Sequence, residues 1–292
     1  MTESETREAA DWTLGCRLPD AQWLWLNERG AFEDEALRRH VAPFAPLELI
    51  GSVSGVTSER DFAAHGAHFY AALNRASPRR LVEFPTLLDF GCGVGRLMRL
   101  LKGHPGEVHG CDIDPRHVAW MRSAIDFCET RQSRVRPPLP YPDAKFDAVI
   151  SISVFSHLSP ASEREFIDEL ARITRPGATL MLTIHGDAAL YRARTEPRIF
   201  QMLSVGKEAL DAATDLYQRG KYAFIRQAGH LTRLEGDAQS ASILEDLYDY
   251  GITLVPKLHI YEQWSRHFRV ERIVDGGLHN FQDIVVLERK AA

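Results

Sequence analysis

The stretch that most constrains this chain runs from Thr86 to Arg96 and reads TLLDFGCGVGR. A short apolar run leads through Asp89 into glycines at alternate positions, Gly91, Gly93 and Gly95. Such a run ending in a glycine cluster reads as a buried strand entering a tight turn. The next residues, Leu97 to Leu101, predict a helix. Strand, glycine turn and helix together make a cradle for a nucleotide-like ligand. Glycine permits positive φ and close backbone approach, and a helix N-terminus offers unpaired N–H groups.

Spacing decides what the cradle holds. The dinucleotide fingerprint G-x-G-x-x-G needs its third glycine to pack helix on strand. Here that position is Arg96, and the glycine falls one place early at Gly95. The resulting D-x-G-x-G-x-G resembles motif I of the class I S-adenosylmethionine-dependent methyltransferases. In that family the loop wraps the methionine end of the cofactor, which has no pyrophosphate. The resemblance therefore implies S-adenosyl-L-methionine as cofactor, with Asp89 near its amino end and Gly91, Cys92, Gly93 and Gly95 along it.

A second strand is expected at Glu107 to Asp112, and Asp112 follows Gly95 by 17 residues, within the usual length of a βαβ unit. A carboxylate at a strand end accepts two hydroxyl hydrogen bonds and suits a ribose. The resemblance gives Asp112 that role and sets Ile113 beside it. Asp114 reads as the cap of the next helix, with Pro115 in its first turn, and that helix is expected to run to about Arg131. The third strand, around Gln132 to Pro138, lacks the acidic residue that many family members place beside the adenine. That leaves adenine recognition to backbone groups and to Leu139.

The segment LPYPDAKFDAVIS, Leu139 to Ser151, resembles the family's turn into its fourth strand. Ser159 and Pro160 then form a helix start, with Phe166, Leu170 and Ile173 on one face. A fifth strand, Thr179 to Ile184, ends in His185. Ligands in open α/β sheets sit outside the carboxyl ends of the strands, which brings Ser153, His157 and His185 to the reacting end, with Ser153 expected among the cofactor-binding residues. A base with a pKa near working pH favours histidine, so His157 is the first candidate and His185 the second. His65 and His68, one turn apart on a helix capped by Ser58, have no further ligands arranged around them, and no metal is expected.

The expected fold is α/β: a Rossmann-like, seven-stranded, mostly parallel sheet with an antiparallel last strand and helices on both faces. Residues 1–78 are expected to form an N-terminal helical extension covering the cofactor, and 79–292 the methyltransferase domain. A helical lid is expected at about 187–256, because so long an insertion in a compact domain is usually functional or disordered. Acidic residues exceed basic ones by 40 to 35, which argues against a nucleic-acid partner. No apolar run reaches membrane-spanning length, the polar start is unlike a secretory signal, and four scattered cysteines fit a reducing cytoplasm. PPLP at Pro137 to Pro140, SVFSHL at Ser153 to Leu158 and the late Gln282-Asp283 are similar to a group of bacterial methyltransferases, some tied to glycan assembly. The resemblance thus leans towards O-methylation of a sugar-like or other small acceptor. Two alternatives are a protein that binds the cofactor without transfer and an NAD-linked oxidoreductase, the latter disfavoured by Arg96.

Overall fold

The computed structural model describes residues 10–227 and 249–291; the polar start, and residues 228–248 of the expected lid, lie outside the described residues. A run of short helical turns, Asp20–Trp25 and Glu35–Arg38 among them, and then two longer helices, α1 (Leu47–Ser54) and α2 (Glu59–Ala76), precede the sheet. Next come β1 (Thr86–Phe90), β2 (Glu107–Asp112), α3 (Pro115–Ala124), β3 (Glu129–Gln132), β4 (Phe146–Ser151), α4 (Pro160–Ile173) and β5 (Thr174–Ile184). An insert carries α5 (Asp187–Thr195), α6 (Pro197–Leu203), α7 (Lys207–Gln218), β6 (Ala223–Arg226) and β7 (Gly251–Leu254). The chain closes with α8 (Lys257–Gln263), β8 (Phe268–Leu278) and β9 (Gln282–Arg289).

The main sheet has the order β3-β2-β1-β4-β5-β9-β8, with β9 running antiparallel between β5 and β8. This is the expected mostly parallel, seven-stranded arrangement. Its two faces follow from the period of two along each strand. Leu87, Ala148, Ile150, Met181, Ile284 and Val286 pack on one side. Leu88, Val149, Leu180, Leu182, Val285 and Leu287 pack on the other. Both faces being covered, the strands read as near-continuous apolar runs.

The first face is closed by the N-terminal segment, whose Trp12, Trp23 and Tyr70 share that core. Ser58 caps α2 by accepting the Asp61 N–H at 3.0 Å, and Phe62, Phe69, Tyr70 and Leu73 turn inward. Gly66 lets α2 press on motif I: a Cβ there would lie 2.6 Å from the Arg96 carbonyl oxygen.

Several boundaries differ from the sequence reading. After motif I the helix is only a 3₁₀ turn, Met98–Leu101. Its carbonyls are claimed by the N-terminal segment: Trp23 Nε1 donates to Leu100 O at 2.8 Å and the Cys16 N–H to Lys102 O at 2.8 Å. α3 stops at Ala124 because Glu129–Gln132 extends to pair with His109–Asp112. β5 starts at Thr174, and the Pro176-Gly177 pair sits where its register against β4 shifts. In the insert, Leu190, Ile199, Leu203, Leu210, Tyr217, Ile252 and Leu254 form a small core of their own.

Candidate active site

A cavity of about 550 Å³ lies outside the carboxyl ends of β1, β2 and β4, within the range usual for small-molecule sites. Motif I forms one wall. Gly91, at φ +80°, turns the chain where a Cβ would come within 2.4 Å of Val154 Cγ2. Gly95, at φ +83°, likewise leaves room for the Met121 sulfur, 2.6 Å from where its Cβ would be. Both combine positive φ with close approach, which glycine alone accommodates cheaply.

The Gly93 N–H donates to Asp112 Oδ2 at 2.8 Å, tying the loop to the end of β2. Asp112 Oδ1 accepts the Asp114 N–H at 2.9 Å and faces His117 Nδ1 at 3.3 Å. His117 Nε2 in turn lies 3.0 Å from Ser52 Oγ, which brings α1 over the site. Gly51, Ser52 and Val53 line the cavity opposite motif I. Asp112 keeps a face on the cavity. A carboxylate has about four lone-pair sites, so capacity remains for vicinal hydroxyls.

Asp89 behaves differently. It is 3% exposed, sits just behind the cavity wall, and makes no hydrogen bond among the described residues. Burial pushes its carboxyl up to about 7, with Asp112 adding to the rise and Arg96 opposing it. A buried carboxylate without a donor is an uncompensated group, and a cationic ligand end would satisfy it. Ser133, just past β3, is a second orphan: its buried Oγ has no partner and the residue lines the cavity beside Val135. A nucleoside with an ammonium tail fits these donors and acceptors. Cys92 and Ile113 also line the cavity.

At the far end, Ser153 has φ +60°, a strained region for a residue with a Cβ. It is held there by its N–H donating to Thr183 Oγ1 at 2.8 Å and by Gln282, whose Nε2 lies 2.9 Å from Ser153 Oγ. His157 lines the cavity and stacks on Tyr250, ring centroids 4.6 Å apart. Its Nδ1 is 2.8 Å from the Gly251 carbonyl. A carbonyl only accepts, so Nδ1 carries the hydrogen, and in the neutral ring Nε2 holds the lone pair.

Four residues that the sequence pointed to the site are not on the cavity wall: Asp89, Gly95, His185 and Leu139. His185 is buried behind His157, ring centroids 5.9 Å apart, and packs on Phe281. Burial, aided by His157, pushes its imidazole down to about 3, so it stays neutral. Leu139 is in the core with Phe146, and its N–H donates to Glu169 Oε1 at 2.6 Å. Its apolar side chain belongs to the sheet face rather than to a ring-binding surface. The sequence reading missed Ser133, Thr183 and Tyr250. Nothing local marks them; Gln282 at least came with the Gln282-Asp283 pair.

Comparison with known proteins agrees with this geometry. Residues 88–182 match the family described as a methyltransferase domain. The chain is 30% identical over 146 residues to ajmaline N-methyltransferase of Rauvolfia serpentina, covering 42% of this chain and 49% of that protein. It is 34% identical over 167 residues to tRNA (carboxymethyluridine(34)-5-O)-methyltransferase of Arabidopsis thaliana, covering 52% of this chain and 39% of that one. The chain thus spans half or less of the length of these relatives. In fold it is similar to the PH0226 protein of Pyrococcus horikoshii OT3, with TM-score 0.53, 16% identity, and 83% and 97% of the two chains covered. Residues 88–182 thus carry a methyltransferase domain of the class I, S-adenosylmethionine-dependent kind.

Proposed function

We propose that the protein transfers the methyl group of S-adenosylmethionine to a hydroxyl of a small, sugar-like acceptor, with His157 as the base. The observation that carries this reading is that one cavity joins the Asp112-anchored glycine loop to His157, whose Nδ1–H is fixed by the Gly251 carbonyl.

Bound in this cavity, the cofactor supplies a methyl carbon activated by a sulfonium. The chain's own residues do the rest. Gly93 and Asp112 fix the nucleoside, Asp89 holds the ammonium, and Ser133 offers its Oγ to the adenine. His157 accepts the acceptor's proton at Nε2, and His185 behind it keeps the ring in place without changing charge. Orientation and exclusion of water supply most of the acceleration in such a displacement. In this reading residues 1–78 cover the cofactor through Gly51 to Val53. The 187–256 insert acts as the lid on the acceptor side, reaching the cavity with Asp249 and Tyr250.

The excess of acidic over basic residues supports a small acceptor over a polynucleotide. The names of the relatives include both a small-molecule N-methyltransferase and tRNA methyltransferases, so the test covers all three acceptor classes. Thermal stabilisation by S-adenosylhomocysteine is compared with that by NAD, since a ligand of the native state raises stability with its saturation. Radiolabel transfer is then screened over glycans, hydroxylated metabolites, amines and tRNA. Stabilisation by S-adenosylhomocysteine alone and label on a small hydroxyl are expected. Stabilisation by NAD alone would remove the cofactor reading, and preferential labelling of tRNA or an amine would remove the acceptor reading.

A further inference from the structure

Helix α1 closes the cavity opposite motif I, and one histidine ties it there. Val53 packs on the glycine loop, its Cγ1 3.1 Å from where a Cβ on Gly93 would stand. Ser52, one residue earlier, meets His117 on α3, and His117 meets Asp112 at the end of β2. The ring is buried, with both nitrogens engaged. Counting hydrogens along this chain fixes what the ring supplies. Ser52 Oγ has a single hydrogen and donates it to the Leu49 carbonyl at 2.8 Å, since a carbonyl only accepts. Oγ therefore receives its bond to the ring from His117 Nε2–H, at 3.0 Å. At the other nitrogen, the ionised Asp112 carboxylate also only accepts, 3.3 Å from Nδ1. A neutral imidazole has one N–H and serves one of these partners, whereas the imidazolium serves both. The charges around it match: Asp112 and Asp114 face the ring, Asp114 Oδ2 lying 3.6 Å from Nε2. Arg116 is paired with Asp114 at 2.6 Å. Glu48, the one charged residue of α1, forms no ion pair with the ring.

We propose that His117, as the imidazolium, is a positioning residue that latches α1 over the cofactor cavity while it orients the Asp112 carboxylate, so that retention of the nucleoside depends on the ring's second proton. This rests on the cofactor reading above and deepens it by giving that seat a control. When the proton leaves, one N–H remains. Either Ser52 loses its donor and α1 is released, or Asp112 faces a lone pair and turns away. The closed, liganded state holds the second proton, so retention is greatest at low pH and is lost as pH rises.

The probe is 5′-methylthioadenosine, which has adenine and ribose but no ammonium, because Asp89 acts with the opposite sign on ligands that carry one. Its dissociation rate is measured by surface plasmon resonance on the immobilised full chain from pH 6 to 8.5, for the wild type, Ser52→Ala and His117→Gln. Wild-type dissociation should quicken by about 3- to 10-fold across this range, the scale of one hydrogen bond. Ser52→Ala, which removes only the α1 end of the link, should already dissociate at the fast rate at pH 6 and change less than about twofold thereafter, and His117→Gln should be as flat. A flat wild-type profile would mean that Ser52 donates to a neutral ring, and a wild-type response kept by both variants would place the titrating group elsewhere; either overturns the proposal. A second measurement needs no variant. The ring ¹⁵N shifts of His117 in the liganded wild type at pH 6 should report two protonated nitrogens, and one lone pair there would overturn it equally. If the wild type bound neither this probe nor S-adenosylhomocysteine, the cofactor reading itself would fall and this inference with it.

Discussion

The two ends of the cavity are built in opposite ways. At the cofactor end the bonds to Asp112 are short in sequence: Gly93 reaches it across 19 residues and His117 across 5, and only the Ser52–His117 contact comes from farther off. At the acceptor end the bonds are long: Ser153 meets Gln282 across 129 residues, and His157 meets Gly251 across 94. On the proposed reading one βαβ unit therefore carries most of the cofactor seat. The proposed catalytic end exists only when β4, β5, β9 and the insert are assembled. Changes to the insert or to β9 can remodel the acceptor end while the nucleoside seat stays intact, which suits a fold that keeps one cofactor and serves many acceptors.

The largest expected effect separates the two ends. His157→Asn should lower kcat by roughly 10²- to 10⁴-fold, the usual contribution of a positioned base, with affinity for S-adenosylhomocysteine unchanged by calorimetry. If affinity fell in parallel with rate, the ends would not be separable. The converse is Asp112→Asn, which loses acceptor capacity for the ribose and weakens the anchor of Gly93. S-adenosylhomocysteine affinity should fall by about 10- to 100-fold, corresponding to one or two charged hydrogen bonds, and 5′-methylthioadenosine, which has the ribose but no amino acid, should lose as much.

Acidity sharpens the distinction within the cofactor end. Burial raises the Asp89 carboxyl to about 7, and only its ionised form attracts an ammonium. Affinity for S-adenosylhomocysteine relative to 5′-methylthioadenosine should therefore fall by up to about tenfold per unit as pH drops below about 7. Stability of the ligand-free protein should move the other way. The native state holds this proton more tightly than the unfolded chain, so the contribution of Asp89 to stability grows as pH falls from about 7 towards the ordinary carboxylate range. Calorimetry and thermal melts across this window read both signs. A ligand affinity ratio flat from pH 8 to 5.5 would mean that Asp89 does not meet the ammonium.

This contrast explains what the sequence made legible. Motif I, Asp112 and the Ser159-Pro160 helix start were readable because each is set by neighbours within one or two turns of chain. The mostly parallel sheet with its antiparallel last strand came from the resemblance to the family rather than from any local signal, and the strand order is a finding of the structure. The 3₁₀ turn at Met98–Leu101 was not readable, since its carbonyls are taken by Trp23 and Cys16 from far upstream. Leu139 looked like a ring-packing residue by its place after the third strand, and only the tertiary fold decides that it faces Phe146. His185 ends a strand as His157 follows one, and no local signal tells the wall residue from the one behind it. Ser133 is marked only by the missing partner of its Oγ, which no pattern of residue types reveals.

The smallest expected effect probes the long-range end at its most strained point. Ser153 holds φ +60° because Thr183 Oγ1 accepts its N–H and Gln282 bonds its Oγ, while Thr183 Oγ1 also donates to Gln282 Oε1 at 2.8 Å. Gln282→Ala leaves both hydroxyls without their shared amide, though Thr183 still accepts the Ser153 N–H. A buried hydrogen bond removed in this way costs about 1–2 kcal/mol, which for a domain of this size is a few degrees in melting temperature. The strand-end turn carrying Ser153 and Val154 should loosen, and kcat should fall by several-fold with little change in S-adenosylhomocysteine affinity. A large loss of affinity would mean that Ser153 contacts the cofactor directly, and the boundary between the two ends would have to be drawn beyond β4 rather than before it.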